Sequence, residues 1–414
     1  MAHSAPRIMH VQGDMTGHAI MTALTQAVRA TPSIRIIEAH AAEALLTADG
    51  AVSGVQLRKC DDAAARPVVI ATDAVVLATG GIGRLYAFTT NPAEANGVGL
   101  AIAARAGALI ADPEFVQFHP TAMMVGRDPA PLITQALRSE GAILVNRRSQ
   151  RFMLPRHLMA DRAPGDIVAR GVAAEIATGR GAFLDAREML DDDFADRFPT
   201  VHASCLAAGL DPTRQPIPVA PAAHSHIGGV AVDARGRSSL AGLWAAGEVV
   251  STGAHGANRL AGNATLEALV FAARIAGDLA GRTTQPAGPL PSFSITESQG
   301  PLPPFGEKNL RELMSSQVGV VRDGERLAEA VLAIAKLERE SSNLTLRNMA
   351  TSALLIAASA WSRRESRGAH YRVDHPAENP ALAQRTRTTL TAARQLADEL
   401  AARPTARTLH LMSA

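Results

Sequence analysis

The chain has 414 residues, with 41 Lys and Arg against 39 Asp and Glu and a formal net charge of +2. Charges this balanced and interspersed argue against a nucleic-acid or membrane-surface protein, where basic residues cluster. Hydrophobic residues make up 47%, too many for a disordered chain. Only Cys60 and Cys205 are present, which excludes a disulfide scaffold and a Cys-rich zinc site. No run of ~18 apolar residues offers a membrane span, and Met1 to Val11 lacks the order of a signal peptide. A soluble, cytoplasmic protein of two or three domains is expected, with neither nucleic-acid nor membrane partners.

In chain order, Gly17–Arg29 reads as a helix and Ile34–Ile37 as a short apolar strand after it. Val52–Leu57 and Val68–Ala71 alternate as half-buried strands do, with Asp49–Gly50 as the turn ahead of them. Ala74–Ala78 is continuously apolar and runs into Thr79–Gly80–Gly81, the pattern of a buried strand feeding a tight turn near a ligand. Gly97–Ala108, rich in Ala and Gly, suits a helix packed closely on a sheet. From about Pro113 to Ala222 the character changes to mixed helices, many arginines and scattered histidines. The strand–glycine–helix style then returns, with strands at Val230–Val232 and Leu243–Ala246 and a helix over Asn263–Leu279. A sheet that is left and rejoined implies an inserted domain. Pro286, Pro289, Pro291, Pro301, Pro303 and Pro304 mark a linker. Beyond it, Leu327, Val331, Ile334 and Leu337, then Met349, Ala353 and Ile356, repeat at helical spacing. The expected division is 1–112 and 223–285 for a sheet domain, 113–222 for the insert, 286–306 for the linker and 307–414 for a helical bundle.

Gly81-Ile-Gly83 and Gly97-Val-Gly99 begin like a dinucleotide fingerprint but lack its third glycine and a complete βαβ opening. Taken alone, each reads as a turn or helix-packing device. His119 lies in Gln117-Phe118-His119-Pro120-Thr121, while His224 and His226 alternate on a strand-like stretch and so share a face. With His255 they match no zinc spacing, and no metal is expected. In Gly253-Ala254-His255-Gly256-Ala257-Asn258-Arg259 the small residues let the backbone approach a ligand, and Arg259 offers a fork matched to a carboxylate. Asp61 and Asp62 beside Cys60 disfavour a thiolate there. Neither a Gly-x-Ser-x-Gly elbow nor a Walker loop occurs.

Taken together, Ala78-Thr79-Gly80-Gly81, the Thr89-Thr90-Asn91-Pro92 run, Gln117-Phe118-His119-Pro120-Thr121 and His255-Gly256-Ala257-Asn258-Arg259 occur in one order. The chain resembles the flavoproteins of the succinate dehydrogenase/fumarate reductase group. Pro221-Ala222-Ala223-His224 and Glu365-Ser366-Arg367-Gly368-Ala369-His370 ahead of Asp374-His375-Pro376 bring it closest to the L-aspartate oxidase family. The resemblance spans about Arg7 to Pro376. It implies an α/β FAD-binding sheet domain, an inserted α+β capping domain and a C-terminal helical bundle.

The resemblance also implies oxidation of L-aspartate, or another small dicarboxylate, to the imine, with FAD as cofactor and O2 or fumarate as final acceptor. The product would pass to quinolinate synthase in NAD biosynthesis. His119, Thr134, His224 and Arg259 match the family's substrate-binding positions. Thr79, Gly80, Gly81, Glu248, Ala264 and Thr265 match its cofactor positions. Three departures stand out. The family's opening βαβ unit with Gly-x-Gly-x-x-Gly has no counterpart in this sequence. Gln135 stands where the family has Glu after Thr134. The family's proton-transferring arginine falls on Gly165, in Ala163-Pro164-Gly165-Asp166, with Arg162 and Arg170 nearby but not in its place. The expectation is an L-aspartate oxidase with impaired turnover. The alternatives are a succinate or fumarate flavoprotein subunit and a non-catalytic relative that binds a dicarboxylate.

Overall fold

The computed structural model describes residues 9–60, 62, 65–188, 194–282 and 300–403. Most of the expected linker, together with Met1 to Ile8 and Asp61, lies outside the described residues. After the helix Thr16–Ala30 comes an antiparallel three-stranded sheet of His40–Ala48, Ala51–Lys59 and Val68–Ala71. Its first turn is the expected Asp49–Gly50, both residues at positive φ, the conformation that matches a tight hairpin to the twist of its strands. Ala51–Lys59 buries every second residue, so Gln56 and Arg58 face inward. Glu43 satisfies both, at 2.9 Å from Gln56 Nε2 and 2.6 Å from Arg58 Nε.

Val75–Leu77 then pairs in parallel with Leu243–Ala245, more than 160 residues later by the numbering of the two strands. Both strands end in glycine turns, Thr79–Gly81 and Gly247–Glu248. The carboxyl ends of parallel strands are where α/β sheets hold ligands. Ile34–Ile37 is not a strand. It is irregular and exposed, because no neighbouring strand among the described residues supplies its backbone partners.

The cap is built on Val116–Met123 paired antiparallel with Ile217–His226, extended by Phe183–Asp185 and Ile143–Val145. Helix Gly165–Ala177 covers this sheet, and Met123, Leu144, Val168, Leu184 and Val219 close a separate apolar core. Ile217–His226 runs across residue 222, so the expected cap boundary falls inside a single paired strand.

The C-terminal helices are Gly306–Gln317, Gly324–Glu340, Leu344–Ser362 and Leu390–Ala401, and the second and third carry the helical spacings read from sequence. Asp323 and Asn343 cap two of them by accepting backbone N–H bonds. Leu344–Ser362 is buried along nearly its whole length and shares one core with Leu77, Leu100 and Val230. The two-residue strand Arg387–Thr388 joins Ile110–Ala111 of the sheet domain. The helical region is thus packed into the sheet domain rather than hung beside it. Among the described residues no helix is long and apolar enough to cross a membrane.

Candidate active site

Three segments converge between the cap and the sheet domain. The strand Val116–Met123 carries His119, its partner Ile217–His226 carries His224, and the loop after Val250–Ser251 carries Arg259. The two histidine rings meet edge-on with centroids 5.2 Å apart. A register shift brings them there. Gln117 pairs with Ser225 and Phe118 with Ala223, which leaves His224 as the extra residue of a β-bulge. The bulge overrides the simple alternation expected of His224 and His226. His224 turns to Thr90, with Nδ1 2.8 Å from the hydroxyl, whereas His226 Nε2 lies 3.1 Å from the Pro113 carbonyl.

Both site imidazoles are neutral at neutral pH. Burial first, then His224, Arg138 and Arg259, hold His119 well below the usual histidine range. Burial and Arg259 push His224 down to about 3. His119 Nδ1 accepts from the Thr121 N–H at 3.3 Å, so its proton sits on Nε2 as a donor.

Arg259 is held by Gln117 at both ends. Its Nε donates to Gln117 Oε1 at 3.0 Å, and its carbonyl accepts from Gln117 Nε2 at 2.7 Å. The two terminal nitrogens of the guanidinium have no hydrogen-bond partner among the described residues. A fork in that state is ready for a carboxylate. Thr134 caps the short helix Gln135–Glu140 by accepting from Ala136 N at 3.3 Å, leaving its hydroxyl proton free to donate.

Gly80 and Gly81 form the turn after Val75–Leu77, Gly80 at φ +75°. A methyl on Gly81 would overlap the Glu248 carboxylate where it now lies, so the glycine gives that carboxylate its place against the turn. Glu248 accepts the His226 N–H at 2.8 Å, and burial raises its pKa. Thr79 is turned inward against Gly99, its hydroxyl buried without a partner. The second Gly-x-Gly run is therefore a packing device: Gly99 admits Thr79, and Gly97 accepts from Ser352 Oγ at 2.7 Å. Ala264 and Thr265 open the 18-residue helix Asn263–Ala280, which follows Gly262 at positive φ and has no side-chain cap on its first N–H groups. Gly262, Thr265, Thr134 and Leu266 line a cavity of about 520 Å³. The rest of that cavity is walled by the N-terminal segment, with Met9, Thr16, Gly17 and Ile20, and by Phe198, whereas Gly80, Gly81 and Glu248 lie outside its lining. Uncapped N–H groups at a helix start and, apart from them, a glycine turn closed on a buried carboxylate are the kinds of group that fit the ring end of a flavin. Among the described residues no group of three or more His, Cys, Asp or Glu side chains is placed to hold a metal ion.

Gly165 is the first residue of its helix, and nothing lies within 4 Å of where a side chain would begin. Neither neighbouring arginine fills the space. Arg162 is exposed, and Arg170 is engaged by Asp166 at 3.1 Å and by the Tyr371 ring at 4.9 Å. Sequence reasoning missed Arg138, Gln117 and Asn258. Arg138 is 1% exposed, donates to the Asp161 carbonyl at 2.7 Å and keeps Nε and Nη2 unpaired. Its signal was the four-residue spacing from Thr134 on one helix face.

Comparison with known proteins supplies the family. The FAD binding domain family model matches residues 2–265, and the fumarate reductase flavoprotein C-terminal model matches 341–409. An L-aspartate oxidase from Caulobacter vibrioides is 51% identical over 92% of this chain and 72% of its own length. The chain belongs to the L-aspartate oxidase family. Another relative, an L-aspartate oxidase from Xylella fastidiosa, is 46% identical over 93% of the chain and 72% of its own. A solved quinol–fumarate reductase with menaquinol molecules superimposes with a TM-score of 0.80 at 28% identity, covering 91% of this chain and 74% of that one. The family's pairing of an FAD domain with a fumarate-reductase-type C-terminal region is the architecture described above.

Proposed function

We propose that the chain is an FAD-dependent oxidase of L-aspartate that forms iminoaspartate, and that Gly165 slows its turnover. The observation that carries this reading is the Arg259 fork, fixed at Nε and free at both terminal nitrogens, beside two neutral imidazoles. A dicarboxylate places one carboxylate in that fork, with His224 alongside. The other carboxylate takes hydrogen bonds from His119 Nε2 and the Thr134 hydroxyl. Neutral imidazoles donate without the cost of burying a charge, and Arg259 with Arg138 supplies the positive field that a dianion needs.

Bound FAD supplies the acceptor for the hydride that leaves Cα. Gly80, Gly81, Glu248, Ala264 and Thr265 are the residues proposed to hold its ring end. The substrate ammonium must also lose a proton. His119 and His224 are weak bases, because burial has pushed their pKa far down. Gly165 offers no side chain, and the space above it is open. Further proposals follow from the family: O2 or fumarate as final acceptor, a quinolinate synthase that takes the imine toward NAD, a cytoplasmic setting, and domain limits near those read from sequence.

One observation favours a second reading. An empty position 165 is also what a dicarboxylate-binding relative without turnover would have. Peroxide release with L-aspartate from the FAD-loaded chain separates the two. Slow, saturable release supports the oxidase; succinate binding with no release at any aspartate concentration supports the silent relative.

A further inference from the structure

Arg259 is aimed by a hydrogen-bond relay that begins on the cap helix. Asp166, the second residue of Gly165–Ala177, accepts from Asn258 Nδ2 at 2.8 Å. Asn258 Oδ1 then accepts from Gln117 Nε2 at 3.2 Å, and Gln117 Oε1 accepts from Arg259 Nε at 3.0 Å. The direction of this relay is set at both ends, because the Arg259 carbonyl also accepts from Gln117 Nε2, at 2.7 Å. An ionised carboxylate can only accept, so Asp166 forces the amino group of Asn258 toward itself. The Asn258 oxygen must then face Gln117, and it shares the Gln117 amino group with the Arg259 carbonyl, which leaves the Gln117 oxygen toward Arg259 Nε. Neither amide can flip without setting two donors or two acceptors against each other.

The relay also joins all three parts of the molecule. Gln117 and Asp166 belong to the cap, whereas Asn258 and Arg259 belong to the sheet domain. Arg170 holds Asp166 from its other side at 3.1 Å and donates to the Gly368 carbonyl of the C-terminal region at 3.4 Å. Ala369 N donates to the Ala257 carbonyl at 2.9 Å, fixing the same loop from below. Only about 10 Å³ of space, lined by Gln117, Asp166, Arg170 and Asn258, remains inside the relay, about one water molecule.

We infer that Asp166, through Asn258 and Gln117, is a positioning residue for the carboxylate fork of Arg259, so that seating of the cap and capture of a dicarboxylate are one event. The inference rests on the dicarboxylate site proposed above. An arginine side chain free to rotate surrenders much of its rotamer entropy when a ligand fixes it. The relay sets that conformation before the ligand arrives.

The test is succinate affinity by calorimetry on the full chain with FAD present. Asp166→Leu is expected to weaken succinate about tenfold, the scale of one hydrogen bond to a charged group. Asp166→Asn retains an accepting oxygen, and its affinity should stay within about twofold. FAD affinity should be the same in both variants. Asn258→Ala breaks the relay at its second link and gives the same loss, should Asp166→Leu not fold. Equal losses in Asp166→Leu and Asp166→Asn would overturn the inference, as would unchanged affinity in Asn258→Ala. Arg259→Leu is the control for the site itself. If that variant binds succinate normally the dicarboxylate site is wrong, whereas loss in Arg259→Leu alone leaves the site standing and removes the relay.

Discussion

The Arg259 guanidinium, held at Nε by Gln117, is the group on which the proposed ligand recognition turns. Arg259→Leu removes the charged partner of a desolvated carboxylate, a loss of ~3–5 kcal/mol. Succinate binding should become undetectable by calorimetry while the folded content, read by circular dichroism, is unchanged. Position 165 is proposed to govern turnover instead. Nothing lies within 4 Å of where a Cβ on Gly165 would sit. Gly165→Arg should therefore raise peroxide release with L-aspartate by at least ~10²-fold, the low end of general acid–base catalysis. Equal rates in the two forms would mean that the proton leaves by another route.

Among the elements, glycine has two opposite meanings here. At Gly228 a methyl would overlap the Asp112 carbonyl and the Pro113 backbone, at the crossing where the chain leaves the sheet for the cap. Gly228→Ala should cost ~2–3 kcal/mol, since backbone rather than a flexible side chain must move. Gly277 sits inside the helix Asn263–Ala280 with nothing within 4 Å of an added carbon. Gly277→Ala should stabilise by ~0.5–1 kcal/mol through helix propensity alone. Urea unfolding midpoints for the two variants should move in opposite directions. The bulge at His224 belongs to this scale as well. One extra residue in one strand separates a histidine turned to Thr90 from one locked on the Pro113 carbonyl.

The whole molecule carries a pH signature through its buried histidines. His224 is pushed down to about 3 and His226 to about 4, both chiefly by burial. The unfolded chain binds these protons near pH 6.5, and the folded chain resists them until far lower. Stability is then full above about pH 6.5 and falls as the pH drops toward 4. At pH 5 each such imidazole costs on the order of 2 kcal/mol. The urea midpoint should fall between pH 7.5 and pH 5, and His226→Gln should flatten part of that fall. An undiminished fall in the variant would show that His226 is not among the groups responsible. The C-terminal helices share in this behaviour because they share the core, tied in by Arg363 against the fully buried Glu114 at 2.6 Å.

Local order was legible wherever the chain itself supplies the cause. The Asp49–Gly50 turn, the alternation of Ala51–Lys59 and the helical spacing of Leu327 to Leu337 each follow from near neighbours in sequence. Motif order carried the family, and position 165 its departure, because both are statements about residue identity. What depends on distant partners was not legible. Ile34–Ile37 has the composition of a strand, yet a strand needs a neighbour to pair its backbone, and none stands beside it among the described residues. The bulge at His224 exists only in register with Gln117 and Phe118, a hundred residues earlier in the numbering of the pair. Gln117, Asn258 and Asp166 were plain polar letters until folding set them within hydrogen-bond reach of one another. Sequence chose the chemistry; the meeting of three separate parts decided where it points, because a hydrogen bond acts over about 3 Å and knows nothing of chain distance.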